Sequence, residues 1–161
     1  MSAEPPSHSP PMIRMANAAD ADAVHAIVNA AYRSYIPRIG KSPGPMLDDY
    51  PKRITDGQVW VLVHDDAIAG ILVLVETPES FLLDNIAVAP DRQGKGHGHT
   101  LLEFAEAQAV RRGWREIRLY TNALMTENIA LYERAGYIET ARVTEKGFNR
   151  VYMSKHLTTT S

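Results

Sequence analysis

With 161 residues, 45% of them hydrophobic and 22% charged, the chain has the size and mix of one globular domain able to bury its own core. A net charge of −2 argues against a broad basic face for nucleic acid, and no apolar run nears the ~20 residues of a membrane-spanning helix. The absence of cysteine excludes disulfides, thiolate metal sites and a cysteine-bound acyl intermediate.

Residues 1–11 hold four of the ten prolines and almost nothing to bury, so they read as a flexible extension. Without an apolar signal-peptide core or cysteine there, a cytoplasmic location is the default expectation. The domain is expected over 12–157, with a short tail at 158–161. From Asp20 the pattern turns helical, because Val24, Ile27, Val28, Ala31 and Tyr35 recur at three- and four-residue steps. Pro37 lies beyond this helix, and residues 37–45 read as a loop rich in proline and glycine. A short helix around 46–54 follows, with Pro51 an awkward guest. Residues 59–63 and 71–75 are apolar, β-rich and separated by Asp65, Asp66 and Gly70, which predicts a hairpin buried on both faces. Phe81 to Val88 is a third strand.

Residues 89–98 form a glycine-rich loop, and Leu101, Leu102, Ala105 and Ala109 mark a helix that stops near Gly113. A strand is expected at 115–121, a helix at about 127–135 ending at Gly136, and two strands near 137–143 and 150–156. The order predicts a mixed α/β fold: a mostly antiparallel central sheet of about six to seven strands with helices on both faces.

The loop carries the strongest functional signal. Gly94, Gly96 and Gly98 alternate between a strand and a helix, where glycine lets backbone amides approach a ligand. The helix start adds unpaired N–H groups and partial positive charge, which together suit phosphate. Arg92 and Lys95 add charge at the rim, and Thr100 offers a hydroxyl. A P-loop is excluded because Gly96 follows Lys95, and the dinucleotide fingerprint fails because His99 occupies its third glycine position.

Gln93-Gly94-Lys95-Gly96-His97-Gly98 resembles the coenzyme A signature of the GNAT superfamily of N-acetyltransferases. Asn85 to Pro90 is similar to that family's fourth strand, and Asn128 to Tyr137 to its later segment with a tyrosine facing the thioester. The resemblance covers roughly residues 13–156. It implies that the fourth and fifth strands splay to admit the pantetheine arm. Ile86, Ala87 and Val88 would hold that arm and the acetyl carbonyl. The amides of Gln93, Gly94, Lys95, Gly96, His97, Gly98 and His99 would hold the pyrophosphate, with Asn128 and Tyr132 near pantetheine and sulfur. Acetyl-coenzyme A is then the co-substrate, no metal is needed, and a homodimer is implied by family habit alone.

The implied reaction passes acetyl directly to a primary amine of a small molecule, amino acid or peptide. An alkylammonium with a pKa near 10.4 is neutral at pH 7 only on the order of one part in a thousand, so a proton must be removed. The oxyanion that forms on attack wants a fixed donor, for which the resemblance offers the Val88 amide. Tyr132 would protonate the leaving thiolate. The base is less defined: Leu82 and Tyr120 stand where relatives carry an acid, which leaves Asp84, of the same strand parity as Leu82, and Glu76 at a strand end. A water relay is a further option. Relatives also carry an asparagine seven residues before the tyrosine, where this chain has Met125; Asn128 and Asn122 are the substitutes.

His97 and His99, among glycines without a carboxylate at ligand spacing, make a poor metal site and read as exposed imidazoles near phosphate. The resemblance borders the acceptor pocket by residues 33–50 and 144–149, where Tyr32, Tyr35, Arg33, Arg38, Lys41, Asp48, Asp49 and Tyr50 mix both charges and leave the acceptor open. Two other readings are an acyl-coenzyme A sensor without turnover and a nucleotide-binding protein.

Overall fold

A computed structural model describes residues 10–158; residues 1–9, most of the expected extension, and 159–161 of the tail lie outside the described residues. Seven strands form one sheet in the order β1-β2-β3-β4-β5-β7-β6. They are β1 (Met12–Met15), β2 (Val59–His64), β3 (Ala67–Glu76), β4 (Phe81–Val88), β5 (Glu116–Asn122), β6 (Ile138–Glu145) and β7 (Phe148–His156). Every neighbouring pair is antiparallel except β4 and β5. The expected mixed sheet is therefore present with seven strands.

Helices α1 (Ala21–Tyr32), α2 (Ile36–Ile39) and α3 (Tyr50–Thr55) precede β2; α4 (His97–Arg111) and α5 (Thr126–Arg134) flank β5. The predicted apolar stripes are the faces that are buried. Val24, Ile27 and Val28 of α1 pack with Val59, Val61, Ile71 and Val73 in one cluster. Leu101, Leu102, Ala105 and Ala109 of α4 pack with Leu62, Leu72, Leu83 and Ile117 in another. Each large aliphatic side chain buried this way contributes roughly 1.5–3 kcal/mol. β2 and β3 lie between the clusters, hence their continuous apolarity.

Several boundaries differ from the sequence reading. β1 has no pattern to announce it: it is four residues at a sheet edge, with only Ile13 and Arg14 half buried. Pro37 does not end the helical path, because it occupies the first turn of α2, where no N–H is needed. Pro51 is accommodated in the same way in α3. In the β2–β3 hairpin, Asp65 and Asp66 both take positive φ, at 53° and 61°, which makes the turn tight by themselves. Gly70 lies inside β3 instead. A Cβ there would sit 3.0 Å from Leu101 Cδ1 and 3.1 Å from the Ala87 carbonyl, so glycine allows α4 to approach the sheet.

Two irregularities position the site. In β4, Leu83 pairs with Leu74 and Asn85 with Val73, leaving Asp84 as the extra residue of a β-bulge. β4 and β5 pair only at Leu82 with Arg118 and Leu83 with Leu119; beyond that, β4 continues along β3 while β5 continues along β7. The sheet opens between them, just after the bulge.

Candidate active site

Two cavities meet at this opening. One is a groove of about 750 Å³ running from Ile86, Ala87 and Val88 across Gln93, Gly94, Gly96, His97, Gly98 and His99 to Asn128 and Leu131. The other, of about 380 Å³, holds Asp84, Tyr120, Tyr132 and Arg150. Tyr32 lines both.

The groove is built from backbone. The Ala89 amide donates to Ala69 of β3, so strand alternation turns the amides of Ile86 and Val88 the opposite way, into the gap left by β5. Gly94 and Gly96 have φ of 83° and 81°, with Gly96 at the start of α4. No amide from Gly94 to His99 has an acceptor among the described residues, and the first backbone bond of the helix runs from Thr100 to Gly96. A row of free donors at the start of a 15-residue helix fits a diphosphate.

The side chains around the loop depart from expectation. Arg92 does not face the groove; it donates to the His64 carbonyl at 3.3 Å and lies 4.0 Å from Asp65. Lys95 is not among the groove's walls, and the Thr100 hydroxyl is used on the Gly96 carbonyl. His97 is buried, not exposed: its ring meets that of His64 at 5.1 Å, and burial lowers its pKa, with His64 adding to the effect. Its Nε2 and the Nδ1 of His64 have no hydrogen-bond partner among the described residues. His99 is exposed and pairs with Glu103, a carboxylate one helical turn on, at 2.7 Å.

Asp84 stands on the bulge at the mouth of the smaller cavity with its side chain 15% exposed. Burial pushes its carboxyl above the usual range; Arg53, with Nη2 at 3.7 Å, and Arg150 oppose this, while Asp48 reinforces it. Tyr132 is buried on α5 and lines the cavity that holds Asp84, and its hydroxyl has no hydrogen-bond partner among the described residues. Burial raises its pKa, so it stays protonated at neutral pH. The structure thus places Tyr132 on the wall of the smaller cavity and not on the groove. Glu76 is not brought to the site. It sits at the far end of β3, bonded to Trp114 and Arg112, and the Trp114 bond leads in holding its pKa low. Asn128 lines the groove and donates to Met125 Sδ at 3.8 Å, whereas Asn122 caps the turn to Leu124 beside the smaller cavity.

A buried relay supports the bulge. Tyr32 donates to Asn85 Oδ1 at 2.7 Å, Asn85 donates to Tyr50 at 2.9 Å, and Tyr50 donates to the Pro45 carbonyl. The relay ties α1, β4 and the cavity wall at 43–47 together. The sequence reading names Tyr32 and Tyr50 only as border residues and gives Asn85 no side-chain role. An asparagine in an apolar strand is the signal that marks it, since a buried amide needs partners. Tyr35 and Arg38 border the groove rather than the acceptor side. Both bond Glu127 on α5, whose pKa falls to about 2, chiefly through Arg38.

A family model for an acetyltransferase (GNAT) domain matches residues 55–139, the stretch from the end of α3 to the start of β6. Over 93 residues the chain is 30% identical to the uncharacterized N-acetyltransferase YvbK of Bacillus subtilis, covering 57% of this chain and 58% of that protein. Over 83 residues it is 34% identical to the probable N-acetyltransferase 14 of Xenopus tropicalis, covering 50% and 40%. The matches span less than two thirds of the length of these relatives. In fold the chain is similar to the ribosomal-protein-S18-alanine N-acetyltransferase of Escherichia coli, with TM-score 0.71 at 21% identity over 94% of this chain and 97% of that one. The PaiA N-acetyltransferase of Thermoplasma acidophilum, solved with coenzyme A, gives TM-score 0.71 at 17% identity over 92% and 99%. On the family match and on the splayed β4–β5 opening behind a glycine turn, this chain belongs to the GNAT acetyltransferase family.

Proposed function

We propose that the chain transfers acetyl from acetyl-coenzyme A to a primary amine. The observation that carries this is the meeting of the amide-lined groove with a cavity holding a half-buried carboxylate and a phenol without a partner among the described residues. The free amides of Gly94 to His99 bind the diphosphate, and Ile86 to Val88, with Asn128, bind the pantetheine arm. When bound, the co-substrate supplies an activated acetyl as its thioester.

Asp84 takes the proton of the incoming ammonium, for which its raised affinity for protons suits it. The Val88 amide donates to the acetyl oxygen as charge gathers there, a contact worth roughly 2.7–4 kcal/mol in comparable sites. Tyr132 gives its proton to the departing thiolate. Cytoplasmic residence and a homodimer, suggested by composition and by the family likeness, belong to the same proposal.

The test is release of free thiol from acetyl-coenzyme A across a panel of small amines, amino acids and peptides. The cysteine-free chain contributes no thiol background. Amine-dependent release supports the reading. Coenzyme A binding without release for any amine overturns it in favour of a sensor.

A further inference from the structure

The charges lining the smaller cavity fall into two groups. At the end near the bulge, Arg53 is consumed: its Nε bonds both oxygens of Asp48, at 3.3 and 3.1 Å, and its Nη1 bonds Gln58 at 3.0 Å. With Asp84 3.7 Å from Arg53 Nη2, that end is left with one negative charge. The other charges come from β7 and the turn before it. There Arg150 has only one bonded nitrogen, Nη1 to Glu145 Oε1 at 3.2 Å, and Tyr152 shares that same oxygen. Its Nε and Nη2 have no acceptor among the described residues, although its side chain is only 17% exposed. Lys146 on the turn is exposed and unpaired among the described residues, so this group is left with one positive charge.

The geometry of Arg150 is held on several sides. Its guanidinium lies 4.6 Å from the Tyr120 ring centre and 5.8 Å from that of Phe148. The turn beside it is pinned by Lys41, which donates to the Gly147 carbonyl at 2.7 Å and lies 4.1 Å over Phe148. A held guanidinium with two open donors is the group that takes a carboxylate on both oxygens. At 380 Å³ the cavity is at the small end of ligand sites.

We infer that the acceptor is a primary amine carrying its own carboxylate, a free amino acid rather than a peptide amino terminus, and that Arg150 binds the carboxylate while Asp84 faces the amine. This rests on the acetyltransferase reading and adds the substrate class. Arg150 acts in recognition, so its loss raises KM and spares kcat.

The experiment compares free L-amino acids with the corresponding amino acid amides, which keep the amine and side chain and lose the negative charge. Thiol release gives kcat and KM, and calorimetry with coenzyme A present gives acceptor affinity without turnover. The free acids are expected to be preferred by at least about tenfold in kcat/KM. Arg150→Met raises KM for the acids about 10- to 100-fold and changes the amides several-fold less, through its weaker influence on Asp84, with Arg150→Lys intermediate. Lys146→Glu, an exposed change that leaves the core untouched, weakens the acids in the same direction. Amides accepted as well as acids, or Arg150→Met lowering both alike, overturn the inference and leave the enzyme reading standing. Calorimetric binding of acids that Arg150→Met abolishes, without thiol release, upholds the anchor and overturns the enzyme reading.

Discussion

Replacing Asp84 by Asn removes a negative charge and a proton acceptor while keeping size and shape, at a position where three effects can be separated. The carboxyl is 15% exposed, and burial is the largest influence raising its pKa from the ordinary 3.8. A positioned general base contributes about 10²–10⁴-fold, so kcat/KM in the thiol-release assay should fall by that factor. The pH profile supplies a second reading. Activity should rise with pH as Asp84 loses its proton, with a midpoint above 3.8, and Asp84→Asn should remove that limb. Stability supplies the third. A carboxyl whose folded pKa is raised favours the fold below its unfolded pKa, and that advantage is lost as pH rises through the folded pKa. At pH 7 the wild type therefore holds a half-buried charge that Asn lacks. The thermal midpoint of the variant should match or exceed that of the wild type, even after loss of the 3.7 Å attraction to Arg53. Activity within threefold of wild type, or an acid limb that survives the substitution, would refute the assignment of Asp84 as base.

Tyr132→Phe should lower kcat by about 10²-fold or more while calorimetry shows unchanged coenzyme A affinity, because Tyr132 lines the smaller cavity and not the groove. Gly70→Ala should cost about 1–3 kcal/mol in denaturant unfolding, since the added carbon meets Leu101 and the Ala87 carbonyl at 3.0 and 3.1 Å and the carbonyl cannot move aside. His97, with a folded pKa below 6.5, should make the protein less stable as pH falls from about 6.5 through that lowered value, because the unfolded chain takes the proton first. Thermal melts of wild type and His97→Gln between pH 7.5 and 5 should diverge in that direction, and parallel curves would remove His97 as the cause.

The parts of the site made by local backbone chemistry were legible before any coordinates. Alternating glycines between a strand and an apolar-striped helix allow left-handed residues and exposed amides, and Gly94 and Gly96 take that conformation at the start of α4. The heptad-like faces of α1 and α4 are read from spacing because helix geometry repeats every 3.6 residues. β1 escaped because Met12–Met15 is a strand only by virtue of pairing with β2, a long-range contact that four residues do not signal. Arg92, Lys95 and Thr100 look like phosphate ligands by proximity in sequence, yet Arg92 and Thr100 are claimed by nearer carbonyls. Glu76 and Asp84 look equivalent as acidic strand residues, and only their surroundings separate them: one is bonded to Trp114 and Arg112 at the far end of its strand, the other is half buried beside the opening.

The sequence by itself determined the mixed α/β fold and the glycine turn that opens α4. These follow from residue type and short-range periodicity, which act within a few residues along the chain. The tertiary structure alone decided that β4 bulges at Asp84, that β4 and β5 part after two rungs, and that Arg150 and Asp84 line one cavity. Register and charge pairing between distant strands depend on which partners compete for each donor and acceptor once the sheet is assembled, and no local pattern encodes that competition.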